Sequence, residues 1–285
     1  MQGHGQTGQQ GSDRQMRQSV APSETARGGP PEVYAPGAMR AGRGFARQAA
    51  RLWHAALPSG CLVCAAVQRD VVCADCAGTL MRPVARCPRC ATPGSRGYCG
   101  RCANVDPVED PAGDPLDATL TLGDYAAPFD KLVLRLKFGA RLPAAGWIAA
   151  RLALVSRACH TQGNLPDLLV PIPLSPARLA ERGFNQAWEI ARPLARHLGV
   201  RASATLLSRH RDTASQRTLD LPARLANQRQ AFVIRDAAAP RELQGLHVGL
   251  IDDVMTTGAT LREAARVLKA HGAARVTALV ALRTP

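Results

Sequence analysis

Val248-Gly-Leu-Ile-Asp-Asp-Val-Met-Thr-Thr-Gly-Ala-Thr-Leu261 is the stretch that decides the fold. Its apolar opening suits a buried strand that ends at Asp252 and Asp253. A short run of hydroxyl residues with Gly258 follows, and a helix is expected to begin near Thr260 and to run through Leu261 to Ala270. A strand handed to a helix through such a loop places two carboxylates and a ring of free backbone N–H groups at the carboxyl edge of a sheet. That edge is where ligands of open α/β folds bind. Amides at a helix N-terminus point at an anion, and Gly258 lets the backbone approach it closely. The loop therefore predicts a phosphate site. Carboxylates beside a phosphate repel it unless they face something else, such as ribose hydroxyls or a hydrated magnesium ion. An ATPase reading of the strand and acid pair needs an upstream Gly-x4-Gly-Lys-Ser/Thr loop, and none of Lys131, Lys137 and Lys269 sits in one. A plain capped turn explains Thr260 but leaves the acids unexplained.

Outward from that stretch the chain alternates strand and helix patterns. Leu168 to Ile172 is a compact apolar run suited to a buried parallel strand, and Asn185 to Leu198 reads as a helix. Ala231 to Ile234 is a weak strand and Val276 to Leu282 a closing one. Upstream, Thr119 to Tyr125 alternates like a strand, while Phe129 to Phe138 and Ala144 to Ala158 read as helices. This order predicts an α/β domain over residues 118–285, a mostly parallel sheet flanked by helices. Residues 105–117, rich in Asp, Pro and Gly, read as a linker. Residues 1–44 have few large apolar side chains and read as a disordered tail, with Met16 and Met39 as alternative starts. Phe45, Ala49, Leu52, Trp53 and Ala56 recur at helical spacing and open a small module over residues 45–104.

That module holds eight of the nine cysteines, and they repeat with a period of 26: Cys61, Cys64, Cys73 and Cys76 recur as Cys87, Cys90, Cys99 and Cys102. Two Cys-x2-Cys pairs separated by eight residues can set four thiolates tetrahedrally around one zinc, each pair forming a tight knuckle and the intervening chain turning back as a hairpin. Two structural zinc ions are expected, each held within one repeat, although spacing alone also allows ligands to cross between repeats. Redox Cys-x-x-Cys pairs instead open a helix of a thioredoxin-like unit, a context missing from this pattern. Cys159 stands alone and takes no role. The formal charge of +14 asks for an anionic partner such as nucleic acid or polyphosphate, but an arginine-rich composition explains it equally well. Residues 1–40 lack the apolar core of a signal peptide, and no stretch is long and apolar enough to insert in a membrane, so a cytoplasmic protein with reduced thiols is expected.

The acid pair and Thr-Thr-Gly-x-Thr loop over Leu250 to Thr260 resemble the signature of type I phosphoribosyltransferases. Further segments follow in one order: Tyr125, Pro128, Lys131 and Leu136-Lys-Phe-Gly139; Val170-Pro-Ile-Pro-Leu174; Arg178 and Glu181-Arg-Gly-Phe-Asn-Gln186; Arg209, Arg211, Thr213, Gln216, Arg224, Asn227 and Ala231-Phe232. Together with the cysteine module they resemble the ComF family of competence-associated phosphoribosyltransferase-like proteins, from about Leu57 to the C-terminus. The resemblance implies a type I phosphoribosyltransferase fold behind a double zinc ribbon. It implies that Asp252 and Asp253 hold the ribose hydroxyls of phosphoribosyl pyrophosphate. By the same resemblance Thr256, Thr257, Gly258, Ala259 and Thr260 bind its 5-phosphate. Pro173, Leu174 and Ser175 would form the pyrophosphate loop, with Arg178, Arg182, Arg209 and Arg211 neutralising the leaving group under a mobile loop near residues 209–216. Mg2+ would accompany the substrate, and the acceptor is an unidentified nitrogen. The family name also allows a second expectation, a component of DNA uptake that binds single-stranded DNA or a competence or primosomal helicase.

Overall fold

Long apolar runs build the centre of the molecule. The computed structural model describes residues 33–34, 59–104, 113–159, 165–209, 231–235 and 243–285. Strands β9 (His247–Met255) and β10 (Arg275–Arg283) are buried along nearly their whole length and lie side by side in parallel. Beside them run β5 (Leu168–Pro171) and then β6 (Arg201–Ser203), while β4 (Ala118–Asp124) pairs with the far side of β10. These five strands are parallel, which explains why they read as unbroken apolar runs: both faces are covered. The two-residue β1 (Val33–Tyr34) adds an antiparallel edge to β6, giving the order β1-β6-β5-β9-β10-β4. The expected disorder of the rest of residues 1–44 and the helix at Phe45 to Ala56 lie outside the described residues.

One face of the sheet is covered by α3 (Asp130–Gly139), α4 (Pro143–Cys159) and α6 (Gln186–Leu198), whose Leu132, Leu136, Ile148, Leu152, Ile190 and Leu194 pack with Ile251 and Leu279. The other face is covered by α7 (Ala259–Ala270), whose Leu261, Ala264, Ala265 and Leu268 meet Leu250, Val276 and Val280. The order in which the chain lays down its strands reverses between the parallel neighbours β5 and β9. The chain leaves β5 toward β6 on one side, and leaves β9 toward β10 on the other, with the connecting helices on opposite faces. A crevice opens at such a switch point, and it is the default ligand site of this architecture.

Several elements differ from the sequence reading. Strand β9 does not end at the acid pair but continues to Met255, although α7 begins at Ala259, within one residue of the expected start. Phe232–Ile234 is a strand (β8), but it pairs antiparallel with β7 (Leu207–Arg209) in a separate two-stranded sheet and leaves the main sheet alone. A short helix, α5 (Pro176–Arg182), was not expected; Ser175 caps it by accepting from the Arg178 N–H at 3.4 Å.

The cysteine-rich segment straddles the edge strand β4. Its first knuckle turns between two short antiparallel strands, β2 (Ser59–Gly60) and β3 (Val67–Gln68). Val63, Val72 and Leu80 of the first repeat join the core under α3 and α4, whereas Cys87, Cys90 and Cys102 of the second join the core under α7. Gly123 in β4 is required by this packing, because a Cβ there would lie 2.6 Å from Leu80 Cδ1. The strand's outer side is occupied: the Thr119 amide donates to Pro88 O at 3.0 Å and the Thr119 hydroxyl to Arg89 O at 2.6 Å. Arg86 and Asp124 close the far end as an ion pair at 2.7 Å. An exposed parallel edge is an aggregation hazard, and the cysteine module removes it here.

Candidate functional site

The acid pair sits at the carboxyl end of β9, in the switch-point crevice. Asp253 is 3% exposed, and a buried carboxylate needs a partner. Lys137, near the end of α3, supplies it with Nζ 3.1 Å from Oδ2, an ion contact without well-aligned hydrogen-bond geometry. Asp252 is more open. Burial of its carboxyl and the adjacent charge of Asp253 push its pKa up to about 8, against the stabilising Asp253 amide, which donates to Oδ1 at 2.8 Å, and the positive charges of Lys137 and Arg209. Two carboxylates held this close cannot both ionise freely.

Thr256 and Thr257 follow as exposed residues, and Gly258 occupies the position before α7 with φ +81°. Glycine is needed on two counts. The backbone is left-handed, and a Cβ would stand 2.3 Å from Met255 Cε and 2.9 Å from Arg262 Nη1. The loop is braced from its own helix: Arg262 donates to Thr257 O at 2.8 Å through Nη1 and to Asp114 Oδ2 at 3.0 Å through Nε. The Ala259 amide reaches Thr257 Oγ1 at 3.3 Å. The amides at the start of this twelve-residue helix complete a cradle suited to a phosphate.

Across the crevice, Pro173, Leu174 and Ser175 leave β5. Pro173 and Leu174 line a cavity of about 480 Å³ together with Asn185, Trp188, Arg209 and Arg235; Asn185 Nδ2 ties the start of α6 to Ile172 O at 3.0 Å. Arg182 lies over the exposed Phe138 ring at 5.4 Å. Arg209 sits on β7 over Phe232 at 5.7 Å. Arg178 is exposed on α5. Arg211 and most of the expected closing loop lie outside the described residues.

The eight cysteines form two groups, one per repeat, and within each group the four sulfurs all lie within 4.8 Å of one another. Cys64 and Cys73 sulfurs are 3.7 Å apart and those of Cys90 and Cys99 3.6 Å. The edge of a tetrahedron with metal–sulfur bonds of about 2.3 Å is about 3.8 Å, so the donor set fits zinc. Amides of Val63 and Cys73 donate to Cys61 Sγ at 3.4 Å. Against the cost of burial, these amides and the neighbouring thiol hold Cys61 down to about 6, and Thr92 does the same for Cys90, also about 6. Burial and the neighbouring sulfurs push Cys76 up to about 12 and Cys102 higher still. Each cluster thus holds one thiol below and one above the ordinary thiol range. Contrary to expectation, the second knuckle of each repeat does open a helix, α1 (Ala74–Leu80) after Cys73 and α2 (Gly100–Ala103) after Cys99. The sulfurs nevertheless converge in fours, which a redox pair does not require.

A family model for the phosphoribosyl transferase domain matches residues 185–285, the part that carries α6, the acid pair and the phosphate loop. DNA utilization protein YhgH of Escherichia coli (strain K12) is 34% identical over 217 residues, covering 75% of this chain and 90% of that protein. Competence protein F of Haemophilus influenzae is 28% identical over 218 residues, covering 72% and 87%. The chain belongs to the ComF family. Among solved structures, the crystal structure of TT1426 from Thermus thermophilus superposes with a TM-score of 0.30 at 20% identity, covering 50% of this chain and 83% of that one. In this ComF chain the fold is the type I phosphoribosyltransferase fold, as its parallel sheet, switch-point acids and loop show.

Two site residues of the ComF chain escaped the sequence reading. Lys137 stood within a family segment but had no assigned role, because its partner Asp253 is far away in sequence and only packing joins them. Arg262 carried no signal beyond its place one turn into α7. Among the arginines of the cysteine module, Arg86 is held by Asp124 and Ala91 O, and Arg89 by Cys102 O and the Tyr98 ring. Arg101 is exposed, as are Arg82 and Arg96. Among the described residues no helix is long and apolar enough to cross a membrane.

Proposed function

We propose that residues 118–285 bind phosphoribosyl pyrophosphate and transfer its phosphoribosyl group to a nitrogen acceptor, releasing pyrophosphate. The observation that carries this reading is the placement of Asp252, Asp253 and the Gly258 loop together at the sheet's switch point. The 5-phosphate belongs in the Thr256–Thr260 cradle. Asp252 accepts from the ribose hydroxyls, and Asp253, fixed by Lys137, holds the second carboxylate of the pair against them. The pyrophosphate lies toward Pro173, Leu174 and Ser175, with Arg182 and Arg209, and Arg211 beyond the described residues, offsetting its charge. The acceptor nitrogen's lone pair forms a bond to ribose C1 while the C1–oxygen bond breaks, and pyrophosphate departs with the bonding electrons. No protein nucleophile is needed; fixed charges and positioning lower the barrier.

The less enclosed carboxylate of the pair, Asp252, suits a hydrated magnesium ion that arrives on the substrate better than one caged by protein. When bound, magnesium neutralises developing charge on the pyrophosphate. The residues 45–104 module is taken as a zinc-stabilised ribbon, with zinc ions in the Cys61, Cys64, Cys73, Cys76 and Cys87, Cys90, Cys99, Cys102 clusters.

Calorimetric titration of phosphoribosyl pyrophosphate with magnesium into the zinc-loaded protein tests the reading. Micromolar binding that is lost in Asp252→Ala supports it. Wild-type affinity in both Asp252→Ala and Asp253→Ala overturns it.

A second reading, handling of single-stranded DNA, is favoured by the names of the relatives, a DNA utilization protein and a competence protein, and the net charge of +14 is compatible with it. Its test is the salt dependence of oligonucleotide binding. A steep slope that shallows in the Arg82→Ala, Arg96→Ala, Arg101→Ala triple variant supports it, and no binding at low salt removes it for the isolated chain.

A further inference from the structure

We propose that Arg283 is a positioning residue that ties the second four-cysteine site to the phosphate loop, so that metal in that site governs the loop's grip on a phosphate. The phosphate end of this inference rests on the function proposed above. Arg283 ends the apolar strand β10, yet it does not reach solvent: it is 5% exposed. Its guanidinium spans two structures. On one side Nε donates to Cys90 O at 3.0 Å and Nη2 to Thr92 Oγ1 at 3.4 Å. On the other, Nη1 donates to Thr284 O and, at 3.5 Å, to Met255 O. The main chain reinforces that side, since the Thr284 amide donates to Met255 O at 2.9 Å.

Met255 is the last residue before the phosphate loop, and its methyl group packs where a side chain on Gly258 would stand, 2.3 Å from the Cβ position. The Cys90–Thr92 turn is therefore one side chain away from the residue that sets where the loop begins. The turn is in the metal cluster itself: Cys90 Sγ lies 3.2 Å from Thr92 Oγ1 and 3.6 Å from Cys99 Sγ.

Charge leads to the same conclusion. Among the described residues no carboxylate lies within 4.0 Å of Arg283, and a buried cation without a counter-charge is strongly unfavourable. Four thiolates around a divalent ion carry a net charge of about −2, so the metal-loaded cluster is the anion that Arg283 faces. Arg283 is to this site what a hydrogen-bonding outer partner is to a metal ligand, and removal of such partners weakens metal binding by about 10- to 100-fold.

The first cluster provides the internal control, because it joins the core on the opposite face of the sheet and, among the described residues, no side chain ties it to Met255 in this way. The experiment compares full-length zinc-loaded wild type with Cys64→Ser, Cys99→Ser, Arg283→Met and Arg283→Lys. Two readouts are used: zinc release to a chromogenic chelator, and hydrogen exchange of the amides in Thr256–Leu261 followed by mass spectrometry. Cys99→Ser and Arg283→Met should each raise loop exchange about tenfold, and Cys64→Ser should leave it at the wild-type rate. Arg283→Met should speed release of one zinc equivalent about tenfold and leave the other unchanged, with partial rescue in Arg283→Lys.

Loop exchange unchanged in Cys99→Ser overturns the proposal, as does an equal rise in Cys64→Ser and Cys99→Ser, which marks general loosening. Should Arg283→Met fail to fold, Thr92→Val replaces it, and unaltered zinc release in that variant counts against the link. Neither readout uses phosphoribosyl pyrophosphate, so absence of substrate binding would sink the proposed function and leave this inference to be decided by exchange alone.

Discussion

Binding of phosphoribosyl pyrophosphate at the proposed site should expel a proton from the acid pair, and the proton count can be worked out. With the Asp252 carboxyl pushed up to about 8, about nine-tenths of free molecules carry the proton at pH 7. Ribose hydroxyls donate best to an ionised carboxylate, so the bound form is the deprotonated one. Binding should then expel about 0.9 proton per ligand at pH 7, about 0.5 at pH 8 and about 0.1 at pH 9. The apparent Kd should fall about ninefold between pH 6 and 7 and flatten above pH 8, a total gain of about 90-fold from pH 6 to 9. Titrations in Tris and in MOPS at one pH measure the proton count directly, because the heats differ by that count times the difference in buffer ionisation enthalpy. Asp252→Asn removes the group and records any protons lost by the ligand itself. Equal release from wild type and Asp252→Asn, or an affinity that does not change with pH, refutes the reasoning. The free protein carries the opposite mark: the folded value lies above the ordinary 3.8, so this group costs nothing below that pH and costs stability increasingly as pH rises toward about 8. The ligand-free chain should melt lower at about pH 8.5 than at about pH 5, with the difference reduced in Asp252→Asn.

Lys137→Met strands the buried Asp253 carboxylate and should cost about 3–5 kcal/mol in denaturant unfolding; adding Asp253→Asn should recover most of it, and a single-variant loss below about 1 kcal/mol would mean that the pair does not hold the site. Gly258→Ala forces a left-handed conformation costing about 1–2 kcal/mol and drives a methyl into Met255, so substrate affinity should fall at least about tenfold while α/β content by circular dichroism is retained. Elemental analysis should find about two zinc ions per chain, about one in Cys61→Ser or Cys90→Ser, and about two in Cys159→Ser; full zinc in either of the first two would break the assignment of ligands.

The features legible in the sequence were those whose chemistry is local. Eight cysteines at a fixed period announce their clusters because each knuckle is built from neighbours, and the stretch from Val248 to Leu261 carries a strand, its acids and its loop in one uninterrupted piece. What stayed hidden depends on partners far away in the chain. Asp253 can lie within a buried strand only because Lys137 arrives from α3, so the strand was expected to stop at the acids and instead runs to Met255. Arg283 lies one residue past the strand expected from Val276 to Leu282, and only its contacts with Cys90 and Met255 show it to be interior. Strands β6 and β7, three residues each, are too short for periodicity to register. The opposite placement of the two ribbons on either face of the sheet has no sequence signature, since the repeats look alike.

The position of β4 also dictates an order of assembly. Its strand partner is β10: the Thr121 hydroxyl reaches Ala281 O at 3.3 Å across 160 residues of chain. On a ribosome, where the N-terminal side emerges first, β4 is exposed for seconds before β10 is synthesised, and long-range parallel pairing is intrinsically slow. The two thiol clusters are complete by Cys102, before β4 itself has been made. They are the part of the described chain that a metal can fold at once, and through Pro88 and Arg89 they can shield the open side of the waiting strand until its partner arrives.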